Sequence, residues 1–148
     1  MGVVYHMNYL NWFEIGRTEM IRALGVTYHD LEQQGLYLPL TDAELSFKKA
    51  AQYDDPILIY TRVDEFGPLR IRFVSEARKV DEHTWRENHL PMHEKTSNHS
   101  EPQGTLLVSG ATRHVWLNHE WQPIRLESSH PQVYNLLKSL RDVGEASL

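Results

Sequence analysis

The sequence predicts an α+β domain in which one curled antiparallel sheet wraps around one long helix. A segment near the amino terminus has helical spacing but is apolar on more than one face, and later segments alternate as strands joined mostly by hairpins. The helix would be roughly 25 Å long at 1.5 Å per residue. Strands of about eight residues would make a sheet roughly 27 Å across. The helix and the sheet therefore match in length.

The composition favours a single globular domain. The chain has 148 residues, 41% of them hydrophobic, which is enough for one core. Its net charge of -5 argues against a general affinity for nucleic acid or anionic membranes. Because there is no cysteine, disulfides, thiolate metal sites and a cysteine nucleophile are excluded. No apolar run approaches the roughly 18 residues of a membrane span, so we expect a cytoplasmic protein without nucleic-acid or membrane partners.

The long helix is predicted within residues 2–25. Asn8 is expected to cap its amino end, and Gly25 to end it in the left-handed conformation. Its apolar residues exceed one stripe, which indicates a helix wrapped by other elements; a surface helix with some exposed aromatic residues is the alternative. Gly16 costs about 1 kcal/mol of helix propensity relative to alanine. We therefore expect a neighbouring backbone to approach closely at Gly16.

A short second helix and the first two strands follow. Thr27 is expected to cap the helix, and Gly35 to end it. Residues 42–48 alternate between apolar and polar side chains, which predicts a half-buried strand. A second strand, rich in β-branched and aromatic residues, begins at Ile57.

The remaining strands and a final helix complete the predicted order. Residues 105–117 are apolar on both faces and are expected near the centre of the sheet. A short strand at residues 122–125 and a helix beginning at Pro131 come last. The third strand follows a Gly-Pro turn and is expected to point three side chains inward, namely Leu69, Ile71 and Phe73.

Residues 83–104 are predicted to form a long loop. The segment is polar, contains two prolines and has no hydrophobic period. Loops of this length inside a compact domain are usually functional or disordered. Its four histidines suggest a metal site, but they lack a rigid helix face and the HExxH pairing, so we predict no metal. The histidines are His83, His89, His93 and His99.

Three blocks of residues resemble a known family. The first and most specific block is Gly2-Val3-Val4-Tyr5-His6-x-Asn8-Tyr9-Leu10, followed by Trp12-Phe13-Glu14 and Arg17-x-Glu19. The second block spans residues 47–57, and the third, weaker block is Thr112-x-His114-Val115. Together they resemble the hot-dog-fold acyl-CoA thioesterases. The nearest group is that of 4-hydroxybenzoyl-CoA thioesterase and the acyl-CoA thioesterases associated with the bacterial Tol-Pal system.

The resemblance implies a hot-dog fold and the hydrolysis of acyl-CoA to a free acid and coenzyme A. Such enzymes need no metal and no bound organic cofactor. They pair into homodimers whose sheets join edge to edge, with active sites at the subunit boundary, and they often assemble further into homotetramers. We expect the same of this chain.

One expected group has no counterpart in the sequence. In the family an aspartate stands three positions before the glycine that matches Gly2, and it acts as base or nucleophile on the thioester. That position, like the family's first strand, lies upstream of Met1. We expect Met1 to be an internal methionine of a longer chain. The alternative is a protein that lacks the carboxylate.

The resemblance places the catalytic backbone donor at or next to His6. If a helix begins at Asn8, the N–H groups near His6 lie at its positive end, where they can stabilise the oxyanion of a thioester. The His6 imidazole, with an unperturbed pKa of about 6.5, can position water or the leaving thiolate. The same segment is expected to bind substrate through Gly2, Val4, Tyr5, Asn8 and Tyr9. For Tyr5 and Tyr9, a place in the core is an equal alternative.

Two further sets of charged residues have open roles. Glu14 is favoured to form a structural ion pair with Arg17, but it becomes the leading substitute base if the aspartate is absent. Basic residues on the strands can meet the phosphates of coenzyme A or remain solvated, and we assign them neither role. These are Lys48, Lys49, Arg70 and Arg72.

Two other functions compete with hydrolysis. A non-catalytic module that binds acyl-CoA or acyl-carrier thioesters is plausible without the aspartate, and it would release no thiol. A hot-dog hydratase or dehydratase is disfavoured because the sequence has no Asp-x-Asn-x-x-His arrangement.

Overall fold

A computed structural model describes residues 2–89 and 101–146, with side chains up to Arg141. Five helices and four strands lie in these ranges. In chain order they are α1 (Met7–Arg22), α2 (Tyr28–Gln33), β1 (Leu40–Phe47), β2 (Ile57–Phe66), β3 (Arg70–Lys79), α3 (Glu82–Asn88), β4 (Thr105–Val115), α4 (Leu126–Ser129) and α5 (Pro131–Ala146).

The four strands form one antiparallel sheet in the order β1-β4-β3-β2. The expected α+β class and the central position of β4 are therefore confirmed. Both outer strands carry an irregularity in their pairing, between Leu40 and Asp42 in β1 and between Val63 and Glu65 in β2. Such bulges bend a strand and increase its twist.

Helices α1 and α5 pack on one face of this sheet. On β3, Ile71, Phe73 and two further alternate residues point to that face and are buried. One core cluster joins the carboxyl half of α1 to α5 through Trp116, and a second gathers around Tyr9 and Phe13 near the amino half of α1. The sheet therefore supports α1 along its whole length.

Helix α1 differs from the prediction in two respects. It begins at Met7 with His6 at the N-cap, so Asn8 lies inside the first turn and does not cap the helix. The predicted wrapping is also incomplete, because the opposite face remains in water: Ile15 is 52% exposed. The sheet has four strands and is open, so it covers α1 from one side only.

The ends of the first two helices follow the sequence signals. Gly25 and Gly35 have φ angles of +87° and +78°, in the left-handed region expected at helix ends. Thr27 and Asp30 form a capping box, in which each side chain accepts a hydrogen bond from the other residue's backbone N–H. These three predictions are confirmed.

Three strand predictions need correction. β1 is exposed rather than half-buried, apart from the partly buried Leu45, because it lies at the sheet edge beyond the helices. Leu69 precedes β3 and is 43% exposed, whereas Ile71 and Phe73 are buried as predicted. In the predicted strand at residues 122–125, the only strand-type pairing within the described chain is an isolated bridge between Pro123 and Leu117.

The predicted loop at residues 83–104 contains a helix. Asp81 caps α3 by accepting a hydrogen bond from the N–H of Thr84 at 2.6 Å. The prediction missed α3 because the helix has no fully buried residue and hence no apolar period. Residues 90–100, with His93 and His99, lie outside the described ranges.

Gly16 is the point at which α1 approaches β2 most closely. A Cβ at Gly16 would lie 2.7 Å from Thr61 Oγ1 and 3.0 Å from Ile59 Cγ2. Thr61 Oγ1 has little freedom to move, because it is hydrogen-bonded to Ser75 at 3.3 Å. The close approach predicted from the sequence is confirmed, although side chains rather than backbone make the contact.

Replacing Gly16 by alanine is expected to destabilise the protein. Alanine improves helix propensity by about 1 kcal/mol, but the overlap with β2 costs about 1 to 3 kcal/mol. We expect a net loss of about 1 kcal/mol in the free energy of unfolding, measured by urea denaturation. A Gly16→Ala variant more stable than wild type would show that α1 and β2 are less tightly packed.

Candidate active site

The chain before α1 is tied to the residues that precede β2. The N–H of Val4 donates to the carbonyl of Ala51 at 2.8 Å, and Val3 forms a bridge with Gln52. The N–H of Gln52 donates to Asp55 at 2.8 Å, which holds the pKa of that carboxyl below its usual range. The approach to α1 is therefore fixed by a second, ordered segment.

Tyr9 also holds the segment that precedes β2. Its hydroxyl accepts a hydrogen bond from the N–H of Ala51 at 2.9 Å, and its ring meets those of Trp12 and Phe47 edge-on at 5.1 and 5.8 Å. The side chain is only 2% exposed. These contacts favour the core interpretation of Tyr9 over a role in lining the acyl pocket.

The amino end of α1 presents free backbone donors. His6, the N-cap residue, already has helical dihedral angles of φ -59° and ψ -29°. Within the described residues, neither the N–H of His6 nor that of Met7 donates a hydrogen bond. No acidic residue occupies the first turn of α1. The positive end of the helix therefore lacks an anionic group from the described chain.

The other predicted binding residues surround this helix end. Tyr5 is 62% exposed, and its ring centroid lies 4.4 Å from that of His6. Asn8 is also exposed, and its N–H donates to the carbonyl of Tyr5 at 3.0 Å. Gly2 has a φ angle of +71°, which a non-glycine residue adopts only with strain. The structure thus brings Tyr5, His6 and Asn8 together at one exposed surface.

Arg17 does not pair with Glu14, contrary to the prediction. Its Nε donates to the Tyr28 hydroxyl at 3.1 Å and its Nη1 to Thr112 Oγ1 at 3.3 Å, while the guanidinium lies 5.6 Å from the centre of the Phe73 ring. Among the ion pairs of the described residues, none includes Glu14, which is exposed. Arg17 thus fastens α1 to the sheet and leaves the Glu14 carboxylate available.

A buried histidine completes the Arg17 network. His114 Nε2 lies 3.0 Å from Thr112 Oγ1, and its Nδ1 lies 3.3 Å from the carbonyl oxygen of Leu38. A carbonyl only accepts, so Nδ1 carries the proton and Nε2 accepts from Thr112. Burial and the charge of Arg17 lower the pKa of His114 to about 4. The sequence drew attention to His114 only as part of a motif; its burial could not be read from spacing.

One groove of the described structure does not have His6 among its lining residues. It extends across all four strands, from Glu44 on β1 to Tyr60 on β2, and is bordered by Met20 of α1 and Leu140 of α5. At the predicted site, the described chain presents an exposed helix end.

In residues 2–89 and 101–146, no three or more His, Asp or Glu side chains converge in a group that could hold a metal ion. No helix in those ranges is long and apolar enough to cross a membrane.

Comparison with known proteins gives a family and several relatives. Putative acyl-CoA thioesterase YneP of Bacillus subtilis is 39% identical over 70 residues, which are 47% of this chain and 51% of that protein. Acyl-CoA thioesterase YbgC of Haemophilus influenzae is 38% identical over 73 residues, or 49% of this chain and 54% of that protein. The chain thus spans about half the length of the curated relatives it matches.

Solved structures cover more of the chain. DHNA-CoA thioesterase from Staphylococcus aureus has 26% identity and a TM-score of 0.77, over 100% of this chain and 85% of that one. The hypothetical protein TT1821 from Thermus thermophilus, with 24% identity, shares the fold at a TM-score of 0.71 over 95% of this chain and 88% of that one.

A family model extends the match beyond the aligned half. Residues 1–126 fit the thioesterase-like superfamily, including α1, all four strands and the segment around His6. Because this match covers most of the chain, the protein belongs to the thioesterase-like superfamily.

Proposed function

We propose that this protein is a thioester hydrolase that cleaves acyl-CoA into a free acid and coenzyme A. The observation that carries the proposal is the pair of free N–H groups, those of His6 and Met7, at the positive end of α1. They lie in the segment that most resembles acyl-CoA thioesterases, and two relatives with that activity in their names match about half of the chain.

The proposed reaction uses water and no bound cofactor. Water attacks the carbonyl carbon, the C–S bond breaks, and the departing thiolate takes up a proton. The negative charge that grows on the carbonyl oxygen is met by the helix-end donors, and one such donor is typically worth about 3 kcal/mol in the transition state. His6 positions the water or the thiolate, and Tyr5 and Asn8 flank the acyl group.

A carboxylate is still needed to activate the water. By resemblance, this role belongs to the aspartate that the family has three positions before the glycine matching Gly2. Glu14 is the substitute within the described residues, because it is exposed on α1 and lacks an ion-pair partner there. Comparing the activity of the 148-residue chain with that of a chain extended upstream distinguishes between these two carboxylates.

The proposal includes a homodimer. β1 forms one outer edge of the sheet, so its outer N–H and C=O groups are available for strand pairing. Two copies joined edge to edge through β1 would place the exposed His6 surface close to the subunit boundary. Pairs of such dimers would form the expected homotetramer, which we propose to be cytoplasmic.

Release of thiol from a panel of aliphatic and aromatic acyl-CoAs tests the activity directly. The 148-residue chain has no cysteine, so in its assay a thiol-reactive dye detects liberated coenzyme A alone. The printed chain is compared with one extended upstream in frame, and each is compared with its Glu14→Gln variant. Turnover by the extended chain alone supports the aspartate, and turnover by the printed chain that Glu14→Gln abolishes supports Glu14. No turnover by either chain contradicts the proposed hydrolysis.

Replacing His6 by alanine is expected to lower kcat in the active chain by about 100-fold, as for the loss of a general acid or base. The backbone donors remain, so some activity should persist. His29→Ala is the matched control, because His29 is likewise exposed at the start of a helix. An unchanged kcat for His6→Ala would remove the imidazole from the mechanism and leave only the backbone donors.

A binding-only module is the second candidate. Its support is the pair of free N–H groups at the amino end of α1, which can bind a thioester carbonyl without cleaving it. Calorimetry with a non-hydrolysable acyl-CoA thioether distinguishes the two: binding without thiol release from the matching thioester, in both chains, establishes the module.

A further inference from the structure

Trp121 is exposed in a conformation that is costly to maintain. Its side chain is 64% exposed, and its φ angle of +59° lies in the left-handed region. A non-glycine residue in that region carries backbone strain, and an exposed tryptophan leaves a large apolar surface in water. Tryptophan is also enriched among the residues that dominate protein interfaces. The backbone strain and the exposed apolar surface together indicate that Trp121 contacts a second molecule.

The turn that carries Trp121 is well ordered. Asn118 Oδ1 accepts hydrogen bonds from the N–H groups of Glu120 and Gln122 at 2.9 and 3.0 Å. The N–H of Asn118 donates to the carbonyl of Gln122 at 3.0 Å. The exposure of Trp121 is therefore imposed by the turn.

Three rings form one surface at this turn, which we call the aromatic platform: Tyr37, His119 and Trp121. The Trp121 ring lies parallel to that of Tyr37, with an interplanar angle of 7° and a centroid distance of 6.0 Å. The Tyr37 hydroxyl is hydrogen-bonded to His119 Nδ1 at 3.1 Å. Tyr37 is fixed in turn by backbone bonds with Leu117 in both directions, at 2.8 and 3.0 Å.

The aromatic platform adjoins the open edge of β1. Tyr37 lies just before this strand, and Lys48 and Lys49 lie just after it. In an antiparallel pair of β1 strands related by a twofold axis, the residues that precede one strand run beside those that follow the other. The aromatic platform of one copy then meets Lys48 and Lys49 of the other.

The charges on the two sides are complementary. Lys48 and Lys49 are exposed and take part in none of the ion pairs within the described ranges. The aromatic platform offers ring faces, which attract ammonium groups, and the exposed Glu120 stands next to Trp121. A second copy of this chain therefore supplies the cation that this surface fits.

We propose that the aromatic platform of each protomer binds the Lys48–Lys49 segment of a second copy. The inference rests on the dimer of the proposed function and deepens it. Lys49 is followed closely by Ala51, whose carbonyl and N–H hold Val4 and Tyr9. Binding of the lysines therefore braces the segment that fixes the amino end of α1, so each active site depends on its partner.

Sedimentation equilibrium of the dimer tests the contact. Trp121→Gly removes the ring and relieves the strained φ, so we expect a dimer Kd raised about 10-fold or more, without a lower unfolding midpoint at protein concentrations far below the Kd. Lys48→Ala/Lys49→Ala should raise the Kd similarly. Combining all three changes should add little, because both sides belong to one contact. Trp85→Ala is the matched control, since Trp85 is 37% exposed on α3.

Four results would overturn the proposal: a wild-type chain that stays monomeric, a normal Kd for Trp121→Gly, effects that multiply in the combined variant, or lysine variants that raise only the KM for acyl-CoA. The last result would assign the lysines to coenzyme A phosphates. Thiol release at protein concentrations far above the Kd reports separately on hydrolysis. If the wild-type protein released no thiol, the proposed function would be contradicted, whereas the proposed dimer contact would still stand.

Discussion

Acidification from pH 7 to pH 4 is expected to lower the free energy of unfolding by about 3 kcal/mol through His114 alone. The folded protein holds the pKa of this imidazole at about 4, against an ordinary value of 6.5. Between pH 6.5 and pH 4, the unfolded chain therefore binds a proton at this imidazole, whereas the folded protein does not. The contribution of His114 to stability is complete above about pH 6.5 and is lost as the pH falls towards 4.

The cause lies in the groups around the ring. His114 is 2% exposed, and both ring nitrogens are already occupied, one by Leu38 and one by Thr112. Arg17, which donates to Thr112, adds a positive charge that opposes protonation, whereas Asp42 favours it weakly. Burial is the largest influence. A second proton on the ring would have to displace the hydroxyl proton of Thr112.

His114→Gln provides the test, because glutamine keeps polar atoms but does not titrate. Urea denaturation of wild type and variant at several pH values between 4 and 7 gives the slope of stability with pH. We expect the stability of His114→Gln to change less with pH, by a slope that corresponds to at most one bound proton. His29→Gln, at an exposed position, is the matched control. Equal slopes for all three proteins would mean that His114 titrates normally.

Replacing Gly104 by alanine is expected to cost about 3 kcal/mol of stability, from left-handed strain of about 1 kcal/mol and an overlap of about 2 kcal/mol. Gly104 precedes β4 with a φ angle of +89°, and a Cβ would overlap the backbone carbonyl of Lys79. Its own carbonyl accepts a hydrogen bond from Arg78 Nη1 at 2.9 Å, so the backbone cannot easily move aside.

Two other glycines separate these contributions. Gly25 has a φ angle of +87° but open space around its Cβ position, so Gly25→Ala should cost only the strain of about 1 kcal/mol. Gly67 has neither a positive φ nor a close neighbour, and Gly67→Ala should be neutral or slightly stabilising. The denaturant midpoint should be lowest for Gly104→Ala, intermediate for Gly25→Ala and highest for Gly67→Ala. A Gly104→Ala midpoint equal to that of Gly25→Ala would exclude the overlap with Lys79.

The candidate site illustrates how far a motif can lead. The residues that resemble the family pointed to the amino end of α1, and the structure places Tyr5, His6 and Asn8 there together. The roles within the site were harder to predict. Asn8 matches a common cap residue, yet the observed N-cap is His6, two residues earlier, and the first residues of a helix are the least predictable part of it.

Functional features outside the motif left little trace in the sequence. Trp121 lies in a polar turn, and only its left-handed backbone and the parallel Tyr37 ring single it out. The two residues are far apart along the chain. A bridge between Tyr37 and Leu117 brings their two segments together in the folded protein.

Local patterns carried the prediction of the fold class, the helix ends at Thr27, Gly25 and Gly35, and the positions of the four strands along the chain. Periodicity and capping involve residues close together in the chain, so they can be read without the fold. The exposure of β1, the partners of Arg17 and the pKa of His114 depend on which distant elements cover a residue. Tertiary packing alone decides those features, because desolvation and charge act through space.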